Sequence, residues 1–134
     1  MTGNPVAIMG TYLRAQLPLM ALVTGIWSPR IPEKRTIPAL TFFVRGGTAN
    51  PHIPPIPSPS FQFDCWAKKS EDAYDIYRKL YDTIQGLQNQ TVTVGGTDYR
   101  IMSVVEEVQG QQIQPVDPQD YHRVLGLFQA TMEV

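Results

Sequence analysis

The hydrophobic positions at the start of the chain recur at steps of three and four residues, the spacing that places side chains on one face of a helix. These positions are Val6, Met9, Leu13 and Leu17. Asn4 suits the N-cap and Pro5 the first position of this helix, so we predict a helix over residues 5–16. Pro18 would clash inside it but suits a new first turn, so residues 18–23 are predicted as a second, short helical segment.

Two segments alternate with the two-residue period of a β-strand, residues 36–45 and residues 60–67. In the first, Leu40, Phe42 and Val44 share one face, and Thr41, Phe43 and Arg45 share the other. In the second, Phe61, Phe63, Cys65 and Ala67 point away from Gln62, Asp64 and Trp66. We predict that they form a hairpin. Residues 25–35, which contain Pro29 and Pro32, are predicted as an edge strand or an extended connector.

The segment after the hairpin has the period of an amphipathic helix that ends near Gly86. Ser70 is the expected N-cap, and Glu71, Asp72 and Asp75 lie where the helix dipole favours acidic side chains. The expected apolar stripe consists of Ala73, Tyr77, Leu80, Ile84 and Leu87.

The sequence after this helix predicts mainly β-strands. A short strand is followed by a Gly-Gly turn and a longer strand over about residues 99–108. Residues 111–120 are polar and contain prolines, and we predict a loop there. A terminal strand follows, in which alternate positions should face the helices, namely Val124, Phe128, Ala130, Met132 and Val134.

Helices and strands do not alternate regularly, which favours an α+β fold over a doubly wound parallel sheet. We expect a single domain over residues 1–134, with a mainly antiparallel sheet of about four strands, two helices packed on one face, and a long proline-rich hairpin loop. The opposite face carries apolar side chains where an open sheet should be polar. We expect these to lie in an interface, and they are Phe43, Trp66, Leu125 and Leu127.

The proline-rich loop predicts an arm at about residues 47–60. It carries little charge and includes PxxP spacing, which favours stiff polyproline geometry and contact with a partner. Its expected contact residues are Pro51, Ile53, Pro54, Pro55, Ile56 and Pro57. The alternatives are a merely rigid or disordered loop and a ligand for an SH3-type domain.

Composition excludes several classes of function. The net charge of −1 argues against binding driven by counterion release from nucleic acid, and a single cysteine excludes an intrachain disulfide or a multi-cysteine zinc site. The longest apolar stretch is too short to span a bilayer and no signal peptide is recognisable. We therefore expect a soluble protein with no membrane partner.

No catalytic group emerges from the sequence. His52 and His122 have no third metal ligand at a recognisable spacing, so ordinary surface residues are favoured over a metal site. Cys65 with a histidine would make a nucleophile and base, but its apolar strand face favours a core residue. Glu106 and Glu107 should point to opposite faces of a strand. We assign no catalytic, cofactor-binding or metal-binding residue and expect a protein that is not an enzyme.

Four segments together resemble the phage tail-completion or tail-to-head joining family, the relatives of tail terminators. They are "LRAQLPLMALVTGIWSPRIPE", "TIPALTFFVRGG", "FQFDCWAKKSEDAYDIYRKLYDTIQG" and "HRVLGLFQATMEV". The most specific part is the strand ending in "DCWA" that leads through a turn into an amphipathic helix. The arm and the polar loop are longer than the resemblance leads us to expect.

The resemblance implies an α+β virion protein that forms a homo-oligomeric ring, usually a hexamer, at the head-proximal end of a phage tail. Such a ring ends the tail tube and joins it to the head connector. The implied partners are copies of itself, the tail tube protein and the head-tail connector proteins, and genomic DNA passes through without specific binding. Its place would be the head-tail interface of the virion, after assembly in the host cytoplasm.

Three alternatives remain open at the level of the sequence. The first is another connector ring, such as an adaptor or stopper. The second is a module that displays its proline segment to other proteins, and the third is a small enzyme that uses Cys65.

Overall fold

The computed structural model describes residues 3–29, 31, 37–48, 56–113 and 122–134. Along the chain the elements are α1 (Pro5–Arg14), α2 (Leu17–Met20), β1 (Ile26–Trp27), β2 (Ala39–Thr48), β3 (Ser58–Ala67), α3 (Ser70–Ile84), β4 (Gln88–Val94), β5 (Thr97–Ile113) and β6 (His122–Glu133). No helix among these residues is long and apolar enough to cross a membrane.

The described strands form one six-stranded sheet in the order β1-β2-β3-β6-β5-β4. Its pairs are antiparallel apart from the parallel contact of β1 with β2. The α+β class is confirmed, but the expected count of about four strands was too low. The two-residue β1 and the short β4 also pair into the sheet. The one-turn helix α2, which was predicted as a short helical segment, packs on α1 and α3.

The first helix starts as predicted and ends earlier. The Asn4 side chain accepts a hydrogen bond from the Val6 backbone N at 2.9 Å, which caps the helix as expected. The helix ends at Arg14 because the ring of Pro18 would clash with the carbonyl of the residue four positions before it. The second helix, with Pro18 in its first turn, stops at Met20 rather than at residue 23.

The β2–β3 hairpin is confirmed and is longer at its tip than predicted. Thr48 pairs with Ser58 and Gly47 with Pro59, so both ends of the predicted arm at 47–60 belong to strands. A one-residue bulge precedes these pairs. At Gly47, φ is +133°, and an added Cβ would clash with the Ser58 carbonyl, so this close approach requires glycine.

Helix α3 differs from the prediction at both ends. Lys69 is the N-cap, in extended conformation and without a side-chain cap hydrogen bond, and Ser70 is already the first helical residue. The helix ends at Ile84, and Leu87 lies beyond it as a partly buried neighbour of the core. The buried stripe is Ala73, Ile76, Tyr77, Leu80 and Ile84.

Strand β5 is the largest departure from the prediction. It continues to Ile113 instead of ending near residue 108 and pairs with β6 across three register shifts. Each bulge adds a residue that breaks the two-residue period and bends the strand. Residues 111–113 of the predicted loop are therefore strand, and residues 114–120 lie outside the described part of the chain.

The core lies between the helices and one face of the sheet, called here the inner face. Helix α3 packs on β3, β5 and β6, and α1 packs on β4. The centre is aromatic, with ring centroids 5.8 Å apart for Phe42 and Phe63 and 5.6 Å apart for Phe63 and Phe128. The inward positions of β6 are buried as predicted, apart from Val134, which lies after the strand and is partly buried.

Candidate docking surface on the outer face of the sheet

The face of the sheet opposite the helices, the outer face, carries the four predicted apolar residues. The strand register places Phe43, Gln62 and Leu127 in one row across β2, β3 and β6. The adjacent row contains Asp64 and Leu125, and Trp66 lies in the row after that. All four apolar side chains are half-buried in the isolated chain, and so they form one continuous surface with part of their area still open.

Strand β5 extends this surface with three residues that the sequence prediction missed. Val105, Val108 and Ile113 are 53%, 37% and 38% exposed. Val108 is opposite Leu127 in the ladder and Ile113 is opposite Arg123, so both continue the rows of the outer face. Alternation did not reveal Val105 and Val108 because the bulges of β5 shift the period of the strand, and Ile113 lies in the segment that was predicted as a loop.

The middle of the outer face is polar and buried. Gln62 and Asp64 point away from the core, but each is buried. Arg45 donates from Nη1 to Gln62 Oε1 at 3.0 Å, and Gln62 Nε2 lies 3.3 Å from Asp64 Oδ2. Arg123 Nε lies 3.7 Å from Asp64 Oδ1. Two arginines therefore flank the buried amide of Gln62 and the buried carboxylate of Asp64 in the centre of the sheet.

Two further contacts fix the indole of Trp66. Its Nε1 donates to Thr41 Oγ1 at 3.0 Å, and the Arg123 guanidinium lies 5.3 Å from the centre of the ring. That distance is in the range of a cation–π contact. The Arg123 guanidinium thus lies beside both the carboxylate of Asp64 and the ring of Trp66.

Burial dominates the electrostatics of this network. Desolvation raises the pKa of Asp64, and the nearby Arg123 and the hydrogen bond from Gln62 oppose that rise without cancelling it. The ionised carboxylate is thus held in place at a net cost to the folded chain.

The base of the proline-rich segment packs on its own chain. The Pro57 carbonyl accepts a hydrogen bond from Met132 N at 3.1 Å, and the hydroxyls of Ser58 and Thr131 are 3.1 Å apart. Ile56 and Pro57 are half-buried. The other predicted contact residues of the arm, Pro51, Ile53, Pro54 and Pro55, lie outside the described residues.

The residues considered for chemistry are dispersed. Cys65 is fully buried in the core, as predicted, and burial followed by the nearby Asp64 charge raises the pKa of its thiol. Glu106 and Glu107 point to opposite faces, also as predicted, since Glu106 accepts from the hydroxyl of Tyr77 and Glu107 from Ser60 at 2.5 Å.

Only one of the two histidines, His122, lies in the described part of the chain. His122 begins β6, whereas His52 lies outside the described residues. Within the described ranges no three His, Cys, Asp or Glu side chains come together as metal ligands.

A chain in the solved structure "Virion of native gene transfer agent (GTA) particle" is similar to this protein. The TM-score is 0.65 at 17% sequence identity, and the match covers 96% of this chain and 93% of that chain. The two chains therefore share a fold over nearly their whole lengths. No protein-family model and no curated protein matches the sequence.

Proposed function

We propose that this chain is a structural virion protein of a phage-like particle, which assembles with copies of itself through the outer face of its sheet. The single observation that carries the proposal is the apolar surface on that face, built from half-buried and exposed side chains around a buried polar centre. The shared fold with a chain of a gene transfer agent virion supports it.

The surface suits contact with an identical subunit that presents a different patch. Apolar side chains with open area gain about 25 cal/mol for each Å² that a neighbour covers. Contacts between two different patches close into a ring when the rotation between subunits closes. The proposed role of such a ring depends on the shape of the subunit and on closure of the ring.

At a finer level, we propose the role of a tail terminator, which is what the sequence resemblance implies. A ring, with a hexamer as the proposed form, would end the tail tube and join it to the head connector. DNA has to slide through such a ring, and a chain with a net charge of −1 avoids tight binding of phosphates.

Light scattering of the purified protein, alone and mixed with tails, tests this function. We expect a molar mass that is a multiple of the 15.0 kDa subunit, either alone or after it joins tails. Replacing Val108 with Arg puts a charge into the apolar surface and should abolish assembly. The matched control is Leu22→Arg, since Leu22 is as exposed as Val108, at 37%, and follows α2.

Two results would oppose the proposal. A wild-type protein that stays a 15.0 kDa monomer and never joins tails would reject the ring. If Val108→Arg and Leu22→Arg assemble equally well, the ring stands but the outer face is not its contact surface.

A further inference from the structure

A cleft between α3 and β5, separate from the outer face, combines aromatic rings with an acidic group. Its volume is about 330 Å³. Three tyrosines border it, Tyr74, Tyr77 and Tyr81, together with the carboxylate of Glu106. Tyr74 and Tyr77 have ring centres 6.1 Å apart. The cleft lies on the helix side of the sheet, because Glu106 is opposite the core residue Phe128 in the ladder.

The formal charges around the cleft leave one acidic group in excess. Arg78 and Asp82 are also part of the lining and lie four residues apart on α3, so their opposite charges are neighbours on the helix surface. Glu106 supplies the remaining charge. Within its described contacts, this carboxylate accepts a hydrogen bond from the neutral hydroxyl of Tyr77, which leaves its negative charge without a cationic partner.

The acidic group and its nearest ring are held firmly. The backbone N of Glu106 donates to Gln85 Oε1 at 2.7 Å, which fixes β5 beside the end of α3. The ring of Tyr77 lies so close to Gly110 and Gly126 that a Cβ at either position would clash with it. Burial and the Glu106 hydrogen bond raise the pKa of Tyr77, so its hydroxyl keeps its proton. Glu106 and Tyr77 are therefore held in place by contacts within the chain.

We infer that this cleft binds the guanidinium group of an arginine side chain presented by another protein. A cation near tyrosine rings is attracted to their π-electrons, and a planar guanidinium also stacks on rings and donates to a carboxylate at the same time. This chemistry is that of a specific contact between proteins. The inference does not depend on ring assembly, since the cleft lies on the helix side and the proposed self-contact on the other.

Nuclear magnetic resonance titration with N-acetyl-argininamide tests the inference. The amides of Gln109 and Gly110, beside the cleft, are the reporters, and N-acetyl-citrullinamide is the uncharged control of the same shape. We expect saturable shifts with the arginine compound only. Glu106→Gln keeps an acceptor for Tyr77 but loses the charge, and it should weaken binding about tenfold. Glu107→Gln, on the opposite face, should bind as the wild type does.

Several outcomes would overturn the inference. They are the absence of saturable shifts in the wild type, equal binding of the citrulline compound, and equal affinity of Glu106→Gln. An equal loss in Glu107→Gln would also overturn it, because the effect would then be one of overall charge. If Glu106→Gln does not fold, Tyr74→Leu takes its place, with the same expected weakening and the same contrary result.

Discussion

The central residues are buried on both faces of the sheet, but different parts of the chain cover them. On the inner face, Phe42, Phe63 and Phe128 are fully buried against one another and the helices. Removal of their apolar area from water stabilises the folded chain. On the outer face, Gln62 and Asp64 are also buried, but under side chains of the sheet itself. The first face is complete in one chain, whereas the second still has open apolar area.

The contrast is sharpest within β3. Neighbouring residues of this central strand are buried on both faces, aromatic on one side and polar on the other. Replacement of residues on the two faces should therefore have different consequences. A change on the inner face should lower the stability of the monomer strongly, and a change at the edge of the outer face should affect assembly more than stability.

The largest effect is expected from Phe63→Ala on the inner face. Phe63 is fully buried and stacks with Phe42, and the cavity left behind should lower the free energy of unfolding by about 3–5 kcal/mol. Urea unfolding of the purified variant measures this change. A loss below about 1 kcal/mol would mean that the core is not centred on this ring.

Gly126→Ala should lower the free energy of unfolding by less than Phe63→Ala does, by about 1–3 kcal/mol, because the new methyl group would clash with the ring of Tyr77. Chemical unfolding of the single variant gives the cost. The same substitution in a Tyr77→Ala background removes the obstacle and should change stability by no more than about 0.5 kcal/mol. An equal cost in both backgrounds would show that the backbone of β6, and not the ring, excludes a side chain.

On the outer face, Arg123→Met should lower stability at neutral pH by about 1–2 kcal/mol, since it leaves the Asp64 carboxylate buried without its cation. The estimate is reduced because the Arg123 side chain is 33% exposed. Methionine keeps an apolar stem near Trp66. Urea unfolding at a series of pH values measures the effect.

The pH dependence of the stability of Arg123→Met tests whether the Asp64 charge causes the loss. Burial raises the Asp64 pKa above its ordinary value of 3.8, so the folded chain holds this proton more tightly than the unfolded chain. Its contribution to stability is therefore complete below pH 3.8 and is lost as the pH rises through the folded pKa. Without Arg123 that pKa rises further, and the deficit of Arg123→Met should shrink on acidification. A loss of stability that is constant with pH would contradict an origin in the Asp64 carboxylate. The same holds if the loss is unchanged in a background that carries Asp64→Asn.

The smallest change in the free energy of unfolding is expected for Val105, at the edge of the outer face. Val105 is 53% exposed, so Val105→Ser should change the free energy of unfolding by no more than about 0.5 kcal/mol. Assembly measured by light scattering should nevertheless weaken. A variant that is destabilised like a core variant, or one that assembles normally, would remove Val105 from the docking surface.

The sequence was sufficient for the elements whose pattern is regular. The strict alternation around Phe63 gave the faces of β3 correctly, and the same held for β6. The N-cap at Asn4 was also predicted because the side chain acts locally. These features depend on neighbours in the chain, which is why a single sequence contains them.

Features that depend on distant residues were missed. The bulges that carry β5 to Ile113 arise from its pairing with β6, and they hid Val105 and Val108 from a two-residue pattern. The burial of Asp64 was missed for a related reason, since Arg123 is distant in sequence and becomes a neighbour only across the sheet. The aromatic cleft likewise needs α3 and β5 together.

Hydroxyl-radical footprinting of the isolated subunit and of the assembled particle tests the central claim most directly. The account predicts that Phe43, Trp66, Leu125 and Leu127 lose reactivity on assembly, while exposed Leu17 on α2 keeps its reactivity. Equal reactivity of the four outer-face residues in both states would contradict the claim that other subunits complete this face.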